Sequence, residues 1–169
     1  MKHDSFNESI EMYVKTMGEL APPGDDVAIS ALARRLGVST VSATEMVHRL
    51  EDQGLVTHTP YRGVRLTTDG HPFATRVNRT HQMWERFLAN HLGLPWEQVH
   101  DLACRLEHAT EDVVTEALAA YLGHPETCPH GNPIPTADGQ VREPDWAPLD
   151  ELAAGERATL QAVRPESTV

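Results

Sequence analysis

Between His100 and His108 the chain reads His-Asp-Leu-Ala-Cys-Arg-Leu-Glu-His. On a helix, His100, Cys104, Glu107 and His108 stand at i, i+4, i+7 and i+8 and share one face. Two imidazoles, a thiol and a carboxylate converging there make a surface for a divalent metal. A second pair, His81 and Glu85, stands at i and i+4 one segment upstream. Met12 adds a thioether on the first helical stretch, beside Glu11. Thioether and thiol combined with imidazole and carboxylate suit Fe(II), and also Co(II), Ni(II) and Zn(II); oxygen and imidazole ligands alone would favour Mn(II). Further on, Cys128 and His130 stand in a Cys-Pro-His-Gly turn. That turn can supply two ligands at once, or it is a surface loop with a free thiol, and spacing alone leaves both open.

Composition limits what such a site can serve. A chain of 169 residues suits one ordinary domain or two small ones. Its 40% hydrophobic and 23% charged residues suit a globular protein. No apolar run approaches the roughly 20 residues of a membrane helix, and the start, MKHDSFNESIEMY, lacks the apolar core of a signal peptide. A cytoplasmic protein with no membrane partner is expected. In that reducing setting Cys104 and Cys128 read as thiols or ligands rather than a disulfide.

The net charge of −11 argues at first against a nucleic-acid partner, but it is unevenly spread. Residues 1–27 carry −4, residues 28–82 carry +3 from seven Arg against four acidic residues, and residues 83–169 carry −10. Phosphate contacts supply most of the electrostatic affinity for DNA, so bound divalent cations would offset an acidity that otherwise opposes binding.

The elements that must position these groups follow from periodicity. Residues 5–20 show helical spacing, with Ser5 or Asn7 as a cap and APPGDD as a stop. Residues 28–37 form a short amphipathic helix ended by Gly37; a second helix, capped by Ser39, closes at Gly54. Two short helices joined by a tight turn make a helix-turn-helix. Leu55, Val56, Val64 and Leu66 then read as two short strands around a Tyr-Arg-Gly turn, the wing of a winged helix. Helices are expected over roughly 71–92, from Pro95 to about Thr110, and over 111–123. Residues 124–148 are Pro- and Gly-rich, an ordered loop or a linker, and the remainder holds at most one helical turn and one strand.

The second helix of such a motif lies in the major groove and meets base edges with its first residues. Those are Ser39, Thr40, Val41, Ser42 and Thr44, with Glu45 beside them. Short hydroxyls permit close approach, and Val41 can meet a thymine methyl. Arg49 on the helix and Arg62 and Arg65 on the wing can hold phosphates or enter a minor groove. No Arg, Asn or Gln opens the helix, so specificity leans on shape and methyl contacts.

Together these segments resemble the diphtheria toxin repressor family of iron- and manganese-dependent transcriptional regulators. The resemblance is carried by EMY at 11–13, VSxxxxTEMVHRLEDQGLV at 38–56, YRGVRLTTDG at 61–70, His-x-x-x-Glu at 81–85, HDLACRLEH at 100–108 and HGNPIP at 130–135. It implies a mainly α protein, with a winged helix-turn-helix over 1–72 and a helical dimerisation and metal-binding domain over 73–140. A tail at 141–169 resembles only the opening of the SH3-like domain of iron-type members, so the chain either lacks that domain or is truncated. The resemblance further implies a homodimer on a double-stranded, palindromic DNA operator. By position, Met12, Cys104, Glu107 and His108 match the primary, activating metal site. His81, Glu85 and His100 match the ancillary site, with Cys128 and His130 in the place of a loop pair that joins it in some members. Met and Cys in the primary site follow the iron type, so Fe(II) is the expected metal and Mn(II) the alternative, with Co, Ni and Zn expected to bind in vitro. Glu45 departs from the Gln or Lys expected there, which bears on operator preference.

Two other classes fit parts of the pattern. A metalloenzyme would use His, Cys and Glu ligands with an open position to activate water, but no nucleophile or general-base motif accompanies them. A winged-helix regulator answering an organic ligand would bind DNA regardless of chelators.

Overall fold

The computed structural model describes residues 8–142 and 144–159, and the chain divides into two compact units between Asn78 and Arg79. The first unit opens with helix α1 (Glu8–Leu20). The expected caps Ser5 and Asn7 lie outside the described residues. Helices α2 (Ile29–Leu36) and α3 (Thr40–Asp52) follow, joined by a turn that Gly37 makes in the left-handed region at φ 67°. Ser39 caps α3, its hydroxyl accepting the Ser42 N–H at 3.0 Å.

Strands β1 (Val56–Thr59) and β2 (Gly63–Leu66) pair antiparallel with His58 opposite Val64. Val27 bridges to Val64 on the other side of β2, giving the wing a third edge. Gly63 permits that approach: at φ 130°, a Cβ there would collide with the Val27 carbonyl. The core beneath gathers Val14, Met17, Leu32, Val47, Leu50, Val56, Val64 and Leu66, all buried. Burying each such side chain contributes about 1.5–3 kcal/mol.

Helix α4 (Gly70–Asn90) runs through the division between the units. The second unit adds α5 (Trp96–Glu107) and α6 (Asp112–Tyr121). Helix α5 begins after Pro95 rather than with it and stops at Glu107, short of Thr110. The Thr110 hydroxyl donates to the Leu106 carbonyl at 2.6 Å, taking up one acceptor left over at the helix end. His108 is the C-cap, yet keeps helical dihedrals.

Residues 124–136 form an ordered loop. Thr127 bridges Pro133, Cys128 N–H donates to Asn132 O at 2.9 Å, and Ile134 N–H donates to Glu126 O at 2.8 Å. Arg79 ties this loop to α6: it donates two bonds to the Glu116 carboxylate at 3.0 Å and one to Pro135 O at 2.6 Å. The apolar core here is small, with Met83, Ala119, Cys128 and Ile134 fully buried. Among the described residues of the tail the structure has a single 3₁₀ turn, Leu149–Glu151, and no strand.

Candidate metal centre

Helix α4 places His81 and Glu85 one turn apart, and α5 places His100, Cys104 and Glu107 along one side. His81, fully buried, is where they meet. Its Nε2 lies 2.9 Å from Glu85 Oε1 and 3.1 Å from His100 Nδ1. Its Nδ1 lies 2.5 Å from Glu107 Oε2 and 3.9 Å from Cys104 Sγ. Both ring nitrogens therefore face a carboxylate. His100 completes the group, with Nδ1 3.2 Å from Glu85 Oε1 and Nε2 3.7 Å from Cys104 Sγ.

The loop adds a further pair. His130 Nδ1 lies 3.2 Å from Glu85 Oε2 and 3.9 Å from Cys128 Sγ. Of the two readings of Cys-Pro-His-Gly, this geometry fits the one in which the turn aims inward. Cys128 is also a buried member of the apolar cluster, so its thiol is no surface group. His108 stands at the edge, with Nε2 3.5 Å from Glu107 Oε1.

The donors fall into two adjacent groups with no member in common, His81 with His100 and Cys104, and Glu85 with Cys128 and His130; in each, the ligand atoms lie within 4.8 Å of one another. The sets expected as primary and ancillary sites thus adjoin through His81. Met12, expected to complete the primary set, is a half-buried residue of α1 in the other unit.

The electrostatics are those of a cation site. Burial pushes the Glu85 carboxyl up, but hydrogen bonds from His100, His130 and His81 outweigh it and hold the group well below the usual carboxylate range. His100 is pushed up to about 9 by its hydrogen bonds to Cys104 and Glu85. His130 is pushed up to about 10 by Cys128 and Glu85. Buried carboxylates are costly unless cations compensate them, and here protons on the imidazoles take that role. Thiols and imidazoles alongside two carboxylates fit a first-row transition metal; Mg(II) and Ca(II) prefer oxygen shells.

On the first unit, Ser39, Thr40, Val41, Ser42 and Arg49 are exposed, Val41 to 69%. Three of the hydroxyls are partly engaged by the helix itself. Ser39 caps it while sharing a 2.9 Å bond with the Ser42 hydroxyl, and Thr44, half-buried, donates to Thr40 O at 2.8 Å. On the wing, Arg62 and Arg65 both approach Asp26, at 3.3 and 3.1 Å. The Arg65 contact is one of charge rather than an aligned hydrogen bond. Motif spacing gave no sign of Asp26, which lies in a turn far from the wing in sequence and reaches it through the Val27–Val64 bridge.

No helix among the described residues is long and apolar enough to cross a membrane. Residues 5–64 match the family model described as iron dependent repressor, N-terminal DNA binding domain. Residues 67–136 match that described as iron dependent repressor, metal binding and dimerisation domain. The diphtheria toxin repressor of Corynebacterium jeikeium is 39% identical over 158 residues, covering 91% of this chain and 61% of its own length. The chain thus spans about three fifths of the curated relatives it matches. Among solved structures, a manganese-dependent transcriptional repressor in complex with manganese aligns with a TM-score of 0.74 at 42% identity, over 80% of this chain and 63% of that one. ScaR with bound zinc aligns at 0.69 and 32% identity, over 89% of this chain and 69% of that one. These matched proteins are repressors rather than enzymes. A winged reading head followed by a helical unit that gathers imidazoles, thiols and carboxylates places the chain in the iron-dependent repressor family, the family of the diphtheria toxin repressor.

Proposed function

We propose that this chain is a metal-activated transcriptional repressor that binds palindromic operators of metal-homeostasis genes as a homodimer. The observation that carries the reading is the convergence of His81, Glu85, His100, Cys104 and Glu107, joined by Cys128 and His130, in a unit linked to a winged helix by one continuous helix, α4. Cys104, Glu107 and His108 with Met12 make the activating site, and His81, Glu85, His100, Cys128 and His130 the ancillary one. When bound, a divalent cation supplies positive charge and a fixed coordination geometry at these side chains. The residues' own part is to change partners. Met12, Cys104, Glu107 and His108 would hold the activating cation, Cys104 and Glu107 giving up their contacts with His81 to do so. A ligand set spanning both units would bias the spacing of the reading heads in a dimer. Ser39, Thr40, Val41, Ser42, Thr44 and Arg49 read the groove, while Arg62 holds phosphate. Exposed Val113, Val114 and Tyr121 on α6 offer an apolar surface that suits the second copy.

Fe(II) is the proposed activator, on the strength of the thiol and thioether donors. Mn(II) is the second reading, favoured by the 42% identity to a repressor solved with manganese. Cys104→Ala and His108→Ala are expected to abolish metal-dependent DNA binding while a folded protein persists. Activation retained in both would remove the primary-site assignment. Met12→Asp is expected to shift the response toward Mn(II), and an unchanged ranking of metals would argue against Met12 as a ligand.

A further inference from the structure

A second group of metal-type donors lies in the first unit, apart from the centre above. His48 and Glu51 stand three residues apart near the end of α3, and His58 stands in β1. One ligand atom from each lies within 4.8 Å of the others. The carboxylate is held in place: Glu51 Oε1 accepts the His58 backbone N–H at 2.9 Å. That leaves Oε2 on the side of His48, whose Nδ1 is 3.8 Å away. The two imidazoles meet edge to face, with centroids 5.6 Å apart at 78°.

We propose that His48, Glu51 and His58 form a divalent-cation site of the borderline class, Zn(II) or Ni(II), that fastens the reading helix to the wing. Two imidazoles and one carboxylate are a ligand set such ions take readily, with water filling the open position. Metal–ligand bonds near 2.0–2.2 Å place donors of a tetrahedral site about 3.3–3.6 Å apart. The donors already lie within 4.8 Å of one another, and His48, whose side chain is more than half exposed, has room to change rotamer. Glu51 needs little adjustment, because the strand backbone already orients it. The site joins two elements of one unit, so it can fill whether or not the second unit holds its metal. Its occupancy restrains β1 at His58, the residue paired with Val64 in the hairpin, and so stiffens the wing that carries Arg62 and Arg65.

The test uses the full chain and Zn(II) alone. Equilibrium dialysis with metal analysis is compared for the wild type, His48→Gln, His58→Gln and Cys104→Ala, each checked for folding by circular dichroism in chelator. The expected result is that His48→Gln and His58→Gln each lose about one equivalent of Zn(II) per chain that Cys104→Ala retains. Amide exchange in β1 and β2 should also slow on Zn(II) addition in Cys104→Ala and not in His58→Gln. Stoichiometry and exchange in the two His variants matching the wild type would overturn the site. Should Cys104→Ala bind as the wild type does while His58→Gln still loses an equivalent, the proposed centre in the second unit fails and this one stands.

Discussion

The two units are built on opposite principles. The first buries fifteen apolar residues in one cluster under short helices and a wing. The second buries fewer apolar residues, Leu88, Val99 and Ala103 besides the Met83 cluster, and packs Arg79, Thr80, His81, Gln82, Glu85, Glu107 and Thr115 among them. An apolar core is favourable by itself, since burial removes apolar surface from water. A polar interior is favourable only when every member is satisfied. Arg79 meets Glu116 and Pro135 O, Thr80 meets Thr115, and Trp84 donates to Thr110. His81 meets the carboxylates of both Glu85 and Glu107. The first unit therefore rests on apolar packing, whereas the second rests on contacts among charged and polar side chains.

The largest expected effect comes from His81→Ala, which deletes the side chain that meets Glu85, His100, Cys104 and Glu107. Loss of a single outer-shell partner costs metal sites about 10–100-fold in affinity, and His81 touches more donors than that. Fe(II) or Mn(II) affinity should fall by more than that range, read by competition with a chelating dye, with the first unit unaltered. Affinity close to wild type would mean that His81 is structural.

Leu50→Ala separates the units from the other side. Truncating this fully buried leucine should cost the first unit about 2–5 kcal/mol. Trp84, Trp96 and Trp146 all lie in the second unit, so their fluorescence follows that unit alone, whereas circular dichroism follows both. Urea unfolding of Leu50→Ala should show the dichroism transition moving to lower urea, ahead of the fluorescence one. Coincident transitions that shift together would show that the units unfold as one.

A smaller effect follows from protonation. His100 at about 9 and His130 at about 10 carry protons at pH 7 in the metal-free protein. Coordination takes only the neutral ring, so binding releases protons. Raising the pH lowers proton competition, and metal affinity should rise steadily from pH 6 to pH 8. Calorimetry in buffers of different ionisation enthalpy measures the protons released; none released would contradict the imidazolium–carboxylate picture of the metal-free site.

The smallest effect concerns the wing. Asp26→Asn should free Arg62 and Arg65 for phosphate and strengthen DNA binding by under about 1 kcal/mol, the worth of an exposed ion pair. Weaker binding would show that Asp26 positions the arginines rather than withholding them.

Helices and wing were legible in the sequence because they follow local rules: apolar spacing, the Ser39 cap, Gly37 and, for His81 beside Glu85, an i, i+4 pair. The His100–His108 face was readable for the same reason, since one helix fixes the relative directions of its own side chains. What local rules do not contain is the meeting of separate elements. His81 as the shared partner of Glu85 and Glu107, and His130 reaching Glu85, depend on how α4, α5 and the loop pack. The His48–Glu51–His58 group joins a helix to a strand, and only its i, i+3 pair left a trace. The end of α5 at Glu107, beyond which the Thr110 hydroxyl bonds back to the Leu106 carbonyl, likewise lay outside what periodicity indicates.

The most direct test is an anaerobic DNA-binding titration followed by fluorescence anisotropy, using an inverted-repeat operator from the protein's own promoter with Fe(II), Mn(II) or chelator. Binding that requires metal, with Fe(II) acting at lower concentration than Mn(II), is the predicted result. Binding that persists unchanged in chelator would contradict it, and would mean that the imidazole, thiol and carboxylate cluster does not control the reading head.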